Sequence, residues 1–257
     1  MRTRPLVIEN ARIIDPSRNL DEVGAIIVRD GAVAACGRDA LNAGHPDGAD
    51  VIDARGLLAI PGLVDARVFI GEPGFEHRET IHSVGEAAAA GGVTSILTMP
   101  DTNPVIDEVA LAQFVMRTAR ETCAVNVFPS AALTRGLLGQ EMTEIGILTE
   151  AGVHTFTEGR RTLSNPALIR RIMTYVRDFD ALFCHETQDD ALTGSGVMNE
   201  GLLASWLGLP GIPREAETIP LERDLRLAAL TGGLVVGGMW LLWGRDLPEV
   251  SDLDVIN

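Results

Sequence analysis

The chain is poor in basic residues, in cysteine and in long apolar runs, and each shortage removes a class of function. Lysine and arginine together number 21 against 36 aspartates and glutamates, a formal charge of −15. Nucleic acid and anionic membrane surfaces would repel such a chain, so neither is expected as a partner. Three cysteines, Cys36, Cys123 and Cys184, lie far apart without metal-ligand spacing. Cys184 ends the apolar run Ala181-Leu-Phe-Cys184, so core packing is its expected role. The apolar stretch Leu234-Val-Val-Gly-Gly-Met-Trp-Leu-Leu-Trp243 is too short for a bilayer, which takes about 20 residues. The start, Met1-Arg-Thr-Arg-Pro-Leu-Val-Ile-Glu9, has charge but no apolar signal-peptide segment, and a cytoplasmic location is expected. Gly91-Gly92 has no Walker lysine and no full dinucleotide pattern, so it reads as a helix end and a strand start.

What is present is a soluble, globular composition, 46% hydrophobic and 22% charged over 257 residues, with material for a sizeable core. The first 57 residues are strand-rich. Leu6 to Ile14 is followed by a turn at Asp15-Pro-Ser-Arg18, and Ala25 to Arg29 leads through Asp30-Gly31, a hairpin signal, to Ala32–Cys36. Gly37 to Gly48 reads as loop and Val51 to Ala54 as a last short strand, giving a small antiparallel module.

After Gly56 the rhythm becomes strand then helix. Strands are expected at Leu58–Val68, Val93–Met99, Val125–Pro129, Val153–Phe156 and Ala181–His185. Helices are expected at Glu79–Ala90, Glu108–Thr122, Glu141–Ala151 and Pro166–Asp178. This alternation, at roughly 30-residue spacing, indicates βαβ units on a parallel sheet. A closed eight-stranded barrel takes about 250 residues. The residues after position 57 suffice for about six strands, so the sheet is open or the barrel incomplete. The stretch 234–257 admits two readings, a buried sixth strand or a divergent tail.

Several motifs carry a resemblance in one order along the chain. They are Pro61-Gly-Leu-Val-Asp65, Glu72-Pro-Gly74, Ala87-Ala-Ala-Ala-Gly-Gly-Val-Thr94, Met99-Pro-Asp-Thr-Asn-Pro104, Met198-Asn-Glu-Gly201, Gly208-Leu-Pro-Gly-Ile-Pro213 and Ala216-Glu217. Together they resemble the type I dihydroorotases of the amidohydrolase superfamily. The resemblance implies an incomplete (β/α) TIM-like barrel of the metal-dependent hydrolase type (58–233), the N-terminal part of a composite β-sandwich (1–57) and a divergent tail (234–257). It also implies descent from zinc enzymes that open or close the dihydroorotate ring in pyrimidine synthesis.

Carried over position by position, the resemblance implies a dismantled site. The two zinc-binding histidines of the family's first strand are matched by Arg67 and Phe69, and its carboxylate-binding arginine by Gly71. Asp101 stands where an asparagine helps hold substrate. The fourth-strand aspartate ligand is matched by Gly159, beside Glu158, which a one-residue offset would turn to the other face. The fifth-strand histidine survives as His185, followed by Glu186; the sixth would fall near Val236, and no histidine follows His185. No metal is expected. If the site works in altered form, zinc is its cofactor, with His154 and Glu158 sharing a strand face and joining His185; otherwise His185 is a core histidine bonded to a neighbour. Arg67 is expected either to replace the metal's charge by pairing with Asp65, Asp101 or Glu186, or to form an ordinary salt bridge. Glu215-Ala-Glu217 and Glu222-Arg-Asp224 read as a solvated helix face.

Three functions follow as alternatives. The first is a non-catalytic dihydroorotase-like protein that assembles with aspartate transcarbamoylase catalytic chains into an oligomer, since Arg67-Val-Phe69 with Gly71, and Thr157-Glu-Gly-Arg-Arg161, are similar to a subgroup of that kind. The second is an active cyclic-amide hydrolase with an atypical metal site. The third is an inert truncated fragment.

Overall fold

A computed structural model of the chain describes residues 4–42, 44–233, 235–237 and 240–242. Two compact units divide it, residues 1–63 and 64–257.

The first unit is a five-stranded sheet of β1 (Leu6–Asp15), β2 (Leu20–Arg29), β3 (Ala32–Gly37), β4 (Asp50–Asp53) and β5 (Leu58–Ala59), in the order β3-β2-β1-β4, with β5 also on β1. The β2–β3 hairpin turns on Asp30 (φ 50°) and Gly31 (φ 78°), the left-handed pair that a two-residue turn needs. A bulge between Ile8 and Ala11 places Asn10 at φ 64° and shifts the register on β2. Val7 and Ala11 therefore serve separate clusters, one with Ala25, Ile27 and Ala40, the other with Ile13 and Ala54. Three expectations change here. The sheet is mixed, because β4 and β5 run parallel to β1. A short helix, α1 (Arg38–Asn42), occupies part of the expected loop, since Ala40 packs on that core. Leu58–Ala59 pair with β1 instead of opening the first barrel strand, so this unit extends beyond residue 57.

The second unit is built from β6 (Leu63–Val68), α2 (Ile81–Ala90), β7 (Val93–Thr98), α3 (Val109–Thr122), β8 (Asn126–Ala132), α4 (Ile145–Glu150), β9 (Thr155–Thr157), α5 (Pro166–Arg177) and β10 (Leu182–His185). An excursion follows, α6 (Asp190–Thr193), β11 (Met198–Asn199), α7 (Leu202–Leu207) and β12 (Gly211–Ile212). Then come α8 (Glu215–Thr231), β13 (Val235–Gly237) and β14 (Trp240–Leu242). The strands lie in the order β14-β13-β10-β9-β8-β7-β6. Sequential order without reversal is the winding of a (β/α) barrel, and the six parallel strands among the described residues, β6 to β10 and β13, leave it incomplete. β13 runs parallel to β10 with Val236 opposite Cys184, while β14 folds back antiparallel at the edge. Val235–Gly237 are thus a sixth strand; Trp243 and the rest of the tail to 257 lie outside the described residues.

Local chemistry sets the helix ends. Thr80 and Ser83 form a capping box before α2. Asn165 accepts from the N–H groups of Ala167 and Leu168 ahead of Pro166. The α5 residues Ile169, Ile172, Met173 and Val176 recur at 3, 4 and 7 and are all buried against Phe156 and Phe183 of the sheet. Each such side chain stabilises the fold by about 2 kcal/mol relative to exposure. Gly91 closes α2 and Gly92, at φ 77°, leads into β7, as read from the sequence. Among the described residues no helix is long and apolar enough to cross a membrane.

Candidate functional site

Side-chain alternation divides the sheet into two faces. On β6 and just beyond it, Val68 and Ile70 pack into the helix-side core, which turns Arg67 and Phe69 to the concave face. Arg67 forms an ion pair with Glu186, the residue after β10. On a flat sheet these strands stand four steps of about 4.8 Å apart, roughly 19 Å, which the two side chains could not span. The contact exists because the sheet curls. Of the three expected partners only Glu186 takes the guanidinium: Asp65 accepts the backbone N–H of Arg67 at 3.1 Å, and Asp101 is engaged elsewhere.

Asp101 follows β7, and its Oδ2 accepts from Arg160 Nε at 3.2 Å and Nη2 at 3.0 Å. Its Oδ1 is buried without a hydrogen-bond partner among the described residues. The Arg160 guanidinium lies 5.7 Å and that of Arg78 4.8 Å from the centre of the Phe69 ring, so two cations face one aromatic side chain. Arg78 is a residue that sequence reasoning did not single out, and Arg160 entered it only within the motif Thr157-Glu-Gly-Arg-Arg161.

Two glycines shape the mouth. Gly71 has φ 65°, and a Cβ there would sit 2.4 Å from the Glu79 carbonyl oxygen and 2.9 Å from that of Phe75. No side chain fits there without a backbone shift, the arginine that the resemblance implies for the family at this position included. Gly159, at φ 67°, faces Asp101, where an added Cβ would stand 3.5 Å from the Asp101 Cβ. Glu158 beside it is buried. It accepts the Thr134 backbone N–H at 3.1 Å and the Thr134 hydroxyl. Burial pushes the Glu158 carboxyl above its ordinary pKa, and the Thr134 hydrogen bonds oppose that shift.

His185 occupies the helix side. Its ring lies 5.6 Å from that of Phe183, two residues back on the same strand face. Nε2 accepts the Leu163 backbone N–H at 2.7 Å, which leaves the proton on Nδ1, bonded to Asp224 Oδ2 at 2.5 Å. The other Asp224 oxygen accepts from Arg223 Nε at 2.9 Å. This overturns part of one expectation: Glu215, Glu217 and Glu222 are exposed, but Asp224 is fully buried and holds the histidine. The rebuilt trio of His154, Glu158 and His185 is not assembled. His154 is exposed before β9, at the opposite end of that strand from Glu158. Among the described residues, no three His, Cys, Asp or Glu side chains are grouped to hold a metal ion.

Two further histidines and the third cysteine are accounted for locally. His45 pairs with Glu9 at 2.9 Å, and His82, inside α2, bonds the Thr122 carbonyl at 2.8 Å. Burial pushes the Cys184 thiol up to about 12, which keeps it protonated and unreactive.

Comparison with known proteins places this geometry. A sequence profile of the Dihydro-orotase-like family matches residues 56–235. A dihydroorotase of Pelobacter propionicus is 45% identical over 226 residues, covering 88% of this chain and 53% of the relative. One from Solibacter usitatus is 41% identical over 228 residues, covering 89% and 52%. The chain thus spans about half the length of the curated relatives it matches. Among solved structures, an L-hydantoinase from Arthrobacter aurescens superposes with a TM-score of 0.72 at 21% identity, covering 92% of this chain and 52% of that one. A D-hydantoinase gives 0.64 at 17% identity, covering 91% and 51%. These likenesses establish the incomplete barrel, and the profile match establishes descent: the chain belongs to the dihydroorotase-like family.

Proposed function

We propose that this chain is a dihydroorotase-like protein of pyrimidine biosynthesis that no longer runs the family's reaction and serves as a structural partner of the aspartate transcarbamoylase catalytic chain. The observation that carries the reading is the pairing of Arg67 with Glu186 across the concave face. A catalytic zinc takes three protein ligands and water. The matched positions offer a guanidinium, a phenyl ring, a glycine and an imidazole whose two nitrogens are already engaged. That donor set does not fit zinc, and Arg67 would repel a divalent ion beside it. Gly71 supports the same reading for substrate, because its backbone has no room for an anion-binding side chain. What remains is a folded surface without the groups that chemistry would need, which suits a scaffold.

The test combines three measurements on the purified chain. The expected results are no retained zinc, no ring opening of dihydroorotate above the uncatalysed rate, and a defined hetero-oligomer with the host's aspartate transcarbamoylase chain by native mass measurement. Stoichiometric zinc with turnover would establish an atypical enzyme instead. Two unassociated species with no turnover would establish an inert fragment.

A further inference from the structure

The helix α7 is inside out. Its six residues, Leu-Leu-Ala-Ser-Trp-Leu, include no charge, and the only one buried is Ala204. Leu202 is 67% exposed and Trp206, one turn on, 75%; Leu203 and Leu207 form a second i,i+4 pair at 57% and 58%. Val197 before the helix and Leu209 after it are also exposed. A solvent-facing helix ordinarily turns such residues inward, and a contiguous set of them marks an interaction surface.

The element is held in place. Met198–Asn199 and Gly211–Ile212 pair as parallel strands at its base. Gly208 ends the helix in the left-handed region at φ 64°, and Leu209 N–H returns to the Ala204 carbonyl at 3.0 Å. Trp206 is therefore presented on a fixed support, which lowers the ordering cost of binding.

Charge selects the partner. Between Asp189 and Glu217 the sequence has five acids, Asp189, Asp190, Glu200, Glu215 and Glu217, and one base, Arg214. Arg214 is tied to Glu215 at 3.2 Å. An apolar centre in an acidic segment fits a partner with an apolar recess bordered by lysine or arginine. A second copy of this chain, with net charge −15, brings the wrong sign.

We propose that α7 and its flanks are a docking surface, with Trp206 as the anchor, for a protein presenting a basic-rimmed apolar recess. Resting on the reading above, that protein is the aspartate transcarbamoylase catalytic chain. Binding is measured for the wild type, Trp206→Glu and Leu202→Ser, with thermal melts showing that each variant folds. Trp206→Glu is expected to weaken binding by roughly thirty-fold or more. Glu200→Arg should slow association and flatten its salt dependence. Independently of any variant, hydrogen exchange across 197–209 in the wild type should slow on complex formation.

Wild-type complex that survives Trp206→Glu and Leu202→Ser, with exchange unchanged, overturns this surface and leaves the assembly role standing. No wild-type complex overturns both. Self-association of the chain alone that Trp206→Glu abolishes assigns the surface to a second copy and overturns the proposal.

Discussion

Asp224 on α8 accepts the Nδ1 proton of His185 at 2.5 Å, across 39 residues of sequence, with both side chains fully buried. The His185 ring is thereby made a buried link between β10 and α8. Asp224→Ala leaves a buried Nδ1–H without an acceptor and Arg223 without its carboxylate. The expected cost is about 3 kcal/mol, read from urea unfolding. A loss below about 0.5 kcal/mol would mean that the pair is dispensable.

Arg67 and Glu186 present a weaker but more informative pair. The Arg67 side chain is 52% exposed, so solvent screening limits the coupling to about 1 kcal/mol or less in a double-mutant cycle with Arg67→Ala and Glu186→Ala. Raising salt should shrink it further. If Arg67→His leaves both stability and assembly unchanged, the guanidinium has no structural role.

Glu158 predicts a pH dependence whose sign follows from its burial. Its folded pKa is raised above the ordinary 4.5, so the folded state holds the proton more tightly than the unfolded state. Its contribution to stability is then present below about 4.5 and is lost as pH rises through the folded value. Replacing Glu158 with Gln should flatten that fall in unfolding free energy measured against pH. Parallel wild-type and variant curves would exclude the carboxyl as its source.

Gly71→Ala should destabilise by about 2 kcal/mol or more, because the new Cβ meets backbone oxygens at a left-handed position that L residues avoid. Gly31→Ala, at an equally positive φ but with nothing within 4 Å, should cost less. Equal melting temperatures for the two variants would show that φ, not the Glu79 carbonyl, sets the requirement.

Local sequence determined much of this protein, since its signals act over a few residues. Asp30-Gly31 specified a turn, Asn165-Pro166 a helix start, and the 3–4 spacing of α5 its buried face. Ordered motifs from Pro61 to Glu217 were enough to name the family. The same resemblance implies that Arg67, Phe69 and Gly71 stand where its site residues would. Tertiary structure decided what those residues do. A strand pattern states which residues share a face, but the curl of the sheet chose Glu186 for Arg67 and left Asp101 to Arg160. Asp224 read as one more acid on a charged helix, and only the packing of α8 on α5 and β13 brought it, buried, against His185. Leu58–Ala59 joined β1 because a free backbone edge lay there, information that no short window contains. Propensity and spacing are local, whereas ion-pair choice, burial and edge pairing depend on which distant segments the folded chain brings within a few ångströms.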